Sequence, residues 1–291
     1  MASSGFTEEF TVSSDGTRIG WLRIGRGPAL IVSHGAARAA VHYRELAQAL
    51  ADRFTVALVD RRGRGLSGPT RPGHRLAQEI DDLAAVLRAT GAERVFGHSG
   101  GGVYALEAAR VLPLGWLAVY EPPVALGQVM SIDWIPEMIR TVQAHRPARA
   151  FALLSRGLQL APRVPIWLMA AGGWLMMRSR EGRQIAALID TIPADFALLE
   201  EIGSGVGHYA DVRCPTLLLD GAKSPAYLQR AIDLLAGVLP DQRRVRIPDA
   251  SHNGPDVDAP RAVAEQLAAF FAAPAAAPQP AGNAAAQSQA R

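Results

Sequence analysis

The 291-residue sequence predicts an α/β fold, a mostly parallel eight-stranded sheet with helices on both faces and an inserted helical cap. Three observations predict it. Short apolar runs such as "PALIVSHG", "FTVALVD" and "CPTLLLDG" recur, the form that buried parallel strands take. Segments with apolar residues three and four apart lie between them, as amphipathic helices require. From about Pro122 to Val212 the alternation stops, and the chain becomes helical in flavour and rich in Leu, Met and Trp.

The elements follow in order. "TEEFTVS" and "RIGWLRI" flank "SDGT", where Asp15-Gly16 is a hairpin signal that favours positive φ, so the sheet opens with an antiparallel edge. After the strand "PALIVSHG", Tyr43, Leu46, Ala47 and Leu50 mark one helical face. "FTVALVD" leads into "RRGRGLSGP" and a helix striped by Leu76, Ile80, Leu83 and Leu87. "RVFGHS" precedes a helix with Tyr104, Ala108, Val111 and Leu112 on one side, and "LAVYEPP" follows. Beyond the insertion come "CPTLLLDG", a helix with Leu228, Ile232, Leu235 and Leu239, the strand "RRVRIPD", and a helix with Val263, Leu267, Phe270 and Phe271. The expected division is a core of residues 8–121 and 213–271, a cap of 122–212, and a disordered Ala/Pro-rich tail of 272–291.

Composition excludes several classes. The sequence is 49% hydrophobic and 20% charged with a net charge of +3, and no dense basic run points to nucleic acid. The single cysteine, Cys214, forbids an intrachain disulfide, and no secretory signal is visible at the N-terminus, so a cytoplasmic location is expected. "IWLMAAGGWLMM", Ile166 to Met177, is too short to span a bilayer and reads as a buried or lid-type helix, without stable membrane insertion. No His/Cys cluster has metal-ligand spacing and no G-x-G-x-x-G follows the first βα strand, so neither a metal nor a dinucleotide cofactor is expected. "DRRGRGLSG" lacks the Lys-Ser/Thr ending of a phosphate loop and reads as a structural turn.

The chemistry centres on Gly97-His98-Ser99-Gly100-Gly101, a G-x-S-x-G pentapeptide between an apolar strand and an amphipathic helix. A nucleophile at a sharp strand-to-helix turn crowds its neighbours, which explains small residues two positions either side. With "SHGAA", "VDRRGRGLSG" and the late "PDASHNGP", the chain resembles the α/β-hydrolase family from about Glu8 to Phe271.

The resemblance implies that Ser99 is the nucleophile, His252 its base, and the backbone N–H groups of Ala36 and Gly100 an oxyanion hole. His34 is expected to shape its loop, and His98 to point away from the nucleophile. Many members carry an acid in the loop after the seventh strand as G-x-x-D. Here that segment is "GAKS", and Ser224 stands in the acid's place, with a structural reading as helix N-cap ahead of Pro225.

Two carboxylates remain. Glu121 ends the strand after the nucleophile's helix, and its extra methylene suits a longer reach to His252; Asp220, ending "LLLD", is the alternative. Asp249, Asp256 and Asp258 read as loop and helix N-terminal charges. Trp134, Trp167, Met169 and Trp174 are candidate pocket residues for an apolar small-molecule substrate. The implied reaction is cofactor-independent hydrolysis of a carboxylic ester, lactone or thioester. Other serine-based chemistries share the scaffold: C–C hydrolysis, acyl transfer or lyase activity. A non-hydrolytic binding or accessory protein is the competing reading, motivated by the missing aspartate. Oligomeric state is left open.

Overall fold

In the computed structural model, residues 5–160 and 164–272 are described. The expected Ala/Pro-rich tail, apart from Ala272, lies outside them. One sheet of eight strands runs in the order β1-β2-β4-β3-β5-β6-β7-β8: β1 (Thr7–Val12), β2 (Arg18–Gly25), β3 (Ala29–Ser33), β4 (Thr55–Val59), β5 (Arg94–His98), β6 (Trp116–Tyr120), β7 (Thr216–Gly221) and β8 (Gln242–Ile247). Strand β2 is antiparallel to both β1 and β4, and every other pairing is parallel. At the β1–β2 turn only Gly16 has positive φ (81°), and the Asp15 carboxylate accepts the Thr17 N–H.

The period-two pleat sorts the apolar runs into two layers. Leu30, Val32, Phe96, Ala118, Tyr120, Leu217 and Leu219 face α1 (Arg44–Leu50) and α11 (Pro260–Phe271). Ile31, Val95, Leu117, Val119 and Leu218 face α2 (Leu76–Thr90), α3 (Gly100–Ala109) and α10 (Ala226–Ala236). Both faces of the central strands are therefore buried, which is why these runs show no polar alternation.

Between β6 and β7 the described residues form six α-helices, α4 (Leu126–Val129), α5 (Ile135–Gln143), α6 (Pro147–Gly157), α7 (Ile166–Met176), α8 (Arg180–Ile189) and α9 (Ile192–Ile202), and a 3-10 turn at Gly207–Asp211. A separate apolar cluster around Met138, Leu153, Leu154, Ile189 and Ile192 holds α5 to α9 together, while α4 packs through Val129 against Tyr227 and Leu228 of α10.

Three local expectations need correction. Helix α3 stops at Ala109, so Val111 falls in a turn and is exposed. Helix α10 starts at Ala226 with Pro225 as its cap at ψ 140°, and the buried Ser224 hydroxyl makes no capping bond. Of the two readings of helix α7, buried or lid-type, the buried one fails: Trp167 and Trp174 are 71% and 55% exposed.

Candidate functional site

Ser99 sits between β5 and α3 at φ 52°, ψ −124°, a region that costs a non-glycine residue of order 1–3 kcal/mol. The turn is held by its surroundings. A Cβ at Gly97 would lie 2.5 Å from the Gly101 carbonyl oxygen, and one at Gly101 would lie 2.5 Å from the oxygens of Ser33 and His34. The glycines two positions either side of Ser99 are thus a packing requirement. The Ser99 N–H donates to Tyr120 O (2.9 Å), and its carbonyl accepts the N–H groups of Gly102 and Val103.

Three side chains from distant parts of the chain form one line. His252 Nε2 is 3.2 Å from Ser99 Oγ, and His252 Nδ1 is 2.8 Å from Glu121 Oε2. Glu121 is fully buried, has φ 46°, and accepts the Gly221 N–H on Oε1 at 2.7 Å. With Glu121 accepting at Nδ1, that nitrogen carries the proton, and Nε2 is left with a lone pair facing the serine hydroxyl. Such an arrangement lets Ser99 lose its proton as it attacks, while the carboxylate stabilises the imidazolium that forms.

Asp220, the other candidate acid, points elsewhere. Its carboxylate takes Arg246 at 2.6 Å and Arg244 at 3.0 Å, both from the neighbouring strand β8. Arg246 is the register partner of Asp220 and Arg244 lies two residues before it, so the pleat sets all three side chains on one face of the sheet.

The loop after β3 faces the same point. A Cβ on Gly100 would be 3.9 Å from the Ala36 nitrogen, and Gly35 approaches Ser99 so closely that its Cβ would be 3.0 Å from the serine Cβ. Gly100 is the first residue of α3, so its N–H has no acceptor within the helix. His34 shapes this loop: Nε2 accepts the Arg61 N–H (3.1 Å) and Nδ1 donates to Gly35 O (2.8 Å). Burial holds its pKa well below the usual histidine value, so it stays neutral.

The loop bearing His252 is pinned at three successive carbonyls. Lys223 N–H donates to Ala250 O (3.0 Å), Tyr120 OH to Ser251 O (2.6 Å), and His98 Nε2–H to His252 O (2.8 Å). Tyr43 OH accepts the Gly35 N–H and donates to His98 Nδ1 at 2.6 Å, so His98 joins the β3 loop to the His252 loop. Burial, helped by nearby His252, depresses its pKa and keeps it neutral. A second tie runs from Arg38, which pairs with the Asp256 carboxylate and reaches Asn253 Oδ1 at 3.4 Å.

The turn "DRRGRGLSG" does more than reverse the chain. Asp60 accepts the N–H groups of Ala40 (2.7 Å) and Leu66 (2.9 Å), and a Cβ at Gly65 would strike its carboxylate. Arg61 binds Glu79 through two bonds and reaches Asp195 of α9 at 2.8 Å, with Tyr104 beneath its guanidinium at 4.2 Å. Arg64 takes the other Asp195 oxygen at 2.6 Å. Both arginines and both acids are buried, and they fasten the inserted helices to the sheet. In the sequence Arg38 and Asp195 carry no local signal, and Tyr43 is marked only as a helix-face residue and Arg61 only as part of a turn, because the partners that define them, Asp256, His98 and Asp195, lie 55 or more positions away.

A cavity of about 860 Å³ lies where α3 meets the insertion. Val103, Val124, Leu126, Ile135, Phe196 and Leu199 dominate its wall. Trp134, Trp167, Met169 and Trp174 do not line it, though the Trp134 ring packs edge-on against Phe196 at 5.6 Å.

Residues 30–266 match the family model described as the alpha/beta hydrolase family, and the chain belongs to that family. An alpha/beta hydrolase from Sphaerobacter thermophilus DSM 20745 is 33% identical with a TM-score of 0.76, covering 90% of this chain and all of that one. The 2-(acetamidomethylene)succinate hydrolase of Mesorhizobium japonicum is 28% identical, covering 78% of this chain and 82% of that protein. A pimeloyl-[acyl-carrier protein] methyl ester esterase of Stenotrophomonas maltophilia is 42% identical over 89 residues, 31% of this chain and 33% of the esterase.

Proposed function

We propose that this protein is a serine hydrolase of carboxylic ester-type bonds, including lactones and thioesters, working through an acyl-enzyme. The observation that carries the reading is the hydrogen-bonded line Ser99–His252–Glu121 beside the N–H groups of Ala36 and Gly100. In the first half-reaction Ser99 Oγ attacks the acyl carbon and His252 Nε2 takes the hydroxyl proton. The oxygen of the tetrahedral intermediate accepts from Ala36 and Gly100, each donor contributing roughly 3 kcal/mol. His252 then gives the proton to the departing alkoxide or thiolate. Water, deprotonated by the same nitrogen, cleaves the acyl-serine ester and regenerates the enzyme.

The inserted helices act as the cap, and the apolar wall of the cavity between them and α3, which includes Val103 one turn along from Ser99 but not Ser99 or His252 themselves, supports a substrate with an apolar small or medium-sized portion. The esterase named among the relatives supports an ester as the bond broken. The test is a panel of p-nitrophenyl esters, lactones and thioesters, paired with covalent labelling by a fluorophosphonate. Turnover and labelling are expected in the wild type, and both should vanish in Ser99→Ala. Undiminished ester hydrolysis by Ser99→Ala would refute the proposal.

A further inference from the structure

Helix α7 has two apolar faces, and only one is covered. Gly173 and Met177 are buried, with Ile166, Met169 and Ala170 half-buried along the same side; a Cβ on Gly173 would lie 3.6 Å from the Ala148 oxygen of α6. On the other side Trp167, Leu168, Ala171, Trp174 and Leu175 fall at helical spacing, and all are exposed. Arg178 closes that stripe one turn after Trp174, its guanidinium 3.7 Å from the indole centroid.

Two solvent-facing tryptophans and two leucines on one helix are a costly way to end a surface, because each forfeits the hydrophobic stabilisation of burial. Their chemistry selects the occupant. Tryptophan favours the boundary between headgroups and acyl chains, where the ring meets hydrocarbon and the N–H meets water. The sequence here is net basic, residues 147–190 containing six arginines and two acids; α7 itself contains no acid, and Arg178 and Arg183 are exposed just beyond its end. A single 11-residue helix is also a ridge only about 16 Å long, a narrow base for the roughly 800 Å² per partner that a standard dimer buries.

We propose that α7 docks this protein peripherally on a phospholipid surface bearing anionic headgroups. Trp167, Leu168, Trp174 and Leu175 enter the boundary layer, and Arg178 and the exposed Arg183 of α8 meet the phosphates. The contact is superficial, since no described helix is long and apolar enough to cross a membrane. It is independent of the hydrolytic reading, because no group of the Ser99 site takes part.

The test is co-sedimentation of the full chain with vesicles of phosphatidylcholine alone and of phosphatidylcholine mixed with phosphatidylglycerol, with tryptophan emission followed in parallel. The expected result is partition onto the mixed vesicles, a blue-shifted emission, and weakening by salt. The double variant Trp167→Gln, Trp174→Gln should lower partition at least tenfold. Arg178→Gln and Arg183→Gln should each lower it about fivefold on the mixed vesicles only. Val111→Gln, a control at an exposed apolar position on the sheet side, should bind as the wild type does. Far-UV circular dichroism and the thermal midpoint establish that each variant folds. Failure of the wild type to bind either vesicle overturns the proposal, as does full binding by the double tryptophan variant. Equal binding to both vesicle types overturns the anionic surface as the occupant. A dimer on light scattering that the double variant disperses assigns the stripe to a second copy of the chain instead.

Discussion

Glu121→Gln is the substitution that most sharply tests how the site works. The buried Gly221 N–H donates to Glu121 Oε1 at 2.7 Å and needs an acceptor, so the glutamine amide oxygen must take that position. Its NH₂ group then faces His252 Nδ1, where Oε2 now stands at 2.8 Å. That nitrogen is forced to accept, the imidazole proton moves to Nε2, and Nε2 can no longer take the proton of Ser99. The variant also loses the carboxylate that stabilises the imidazolium. At an effective permittivity near 20, two unit charges 3–4 Å apart attract by about 4–6 kcal/mol, which corresponds to three to four decades in kcat. The assay is steady-state hydrolysis of a p-nitrophenyl ester together with the rate of fluorophosphonate labelling. Both should fall by about 10³–10⁴ while KM changes little. Asp220→Asn, which touches only the β8 arginines, should retain activity within a fewfold. A glutamine variant keeping a tenth of the activity, or an Asp220→Asn variant losing a thousandfold, would refute the assignment.

Three further outcomes follow from the contacts. Arg61→Met leaves buried Glu79 with His74 alone and buried Asp195 with Arg64 alone, and should cost about 3 kcal/mol in urea unfolding; Arg75→Met, at an exposed ion pair with Glu201, should cost less than about 1 kcal/mol. Arg38→Gln loosens the tie between the β3 loop and the His252 loop, so kcat should fall about ten- to a hundredfold with a smaller change in KM; an unchanged kcat would mean the tie positions nothing. His34 and His98 are held neutral when folded but take a proton when unfolded below their ordinary pKa of 6.5. The unfolded state then binds more protons, so stability is full above pH 6.5 and declines as pH falls below it. The two together contribute a slope of up to about 2.7 kcal/mol per pH unit, and a flat urea midpoint between pH 6.5 and 5 would contradict this.

The eight strands were legible because each central run is apolar on both faces, a pattern that leaves little choice but a covered parallel sheet. The elbow was legible because its glycines lie two residues either side of Ser99; Gly97 is demanded by the turn itself, at Gly101 and Gly102, whereas Gly101 is demanded by the Ser33 and His34 carbonyls at the end of β3. The fold family, too, was readable from motifs a few residues long. The sequence favours Glu121 over Asp220 only through its longer side chain, since both are acids ending adjacent strands. What separates them is the direction of each side chain and the arginines of β8, which lie 24 and 26 residues beyond Asp220.

The exposed face of α7 escaped reading for a related reason. A helix apolar on every side reads as buried or lid-type alike, and only the packing of α6 against one side reveals that the other is left open. The sequence by itself thus determined the strands, the elbow and the residues able to do chemistry, because those depend on spacing within a turn or a pleat. The tertiary structure alone decided which carboxylate meets His252, which arginines meet Asp195, and which apolar side chains meet water. Each of those outcomes depends on where two remote segments come to lie, and no local pattern encodes it.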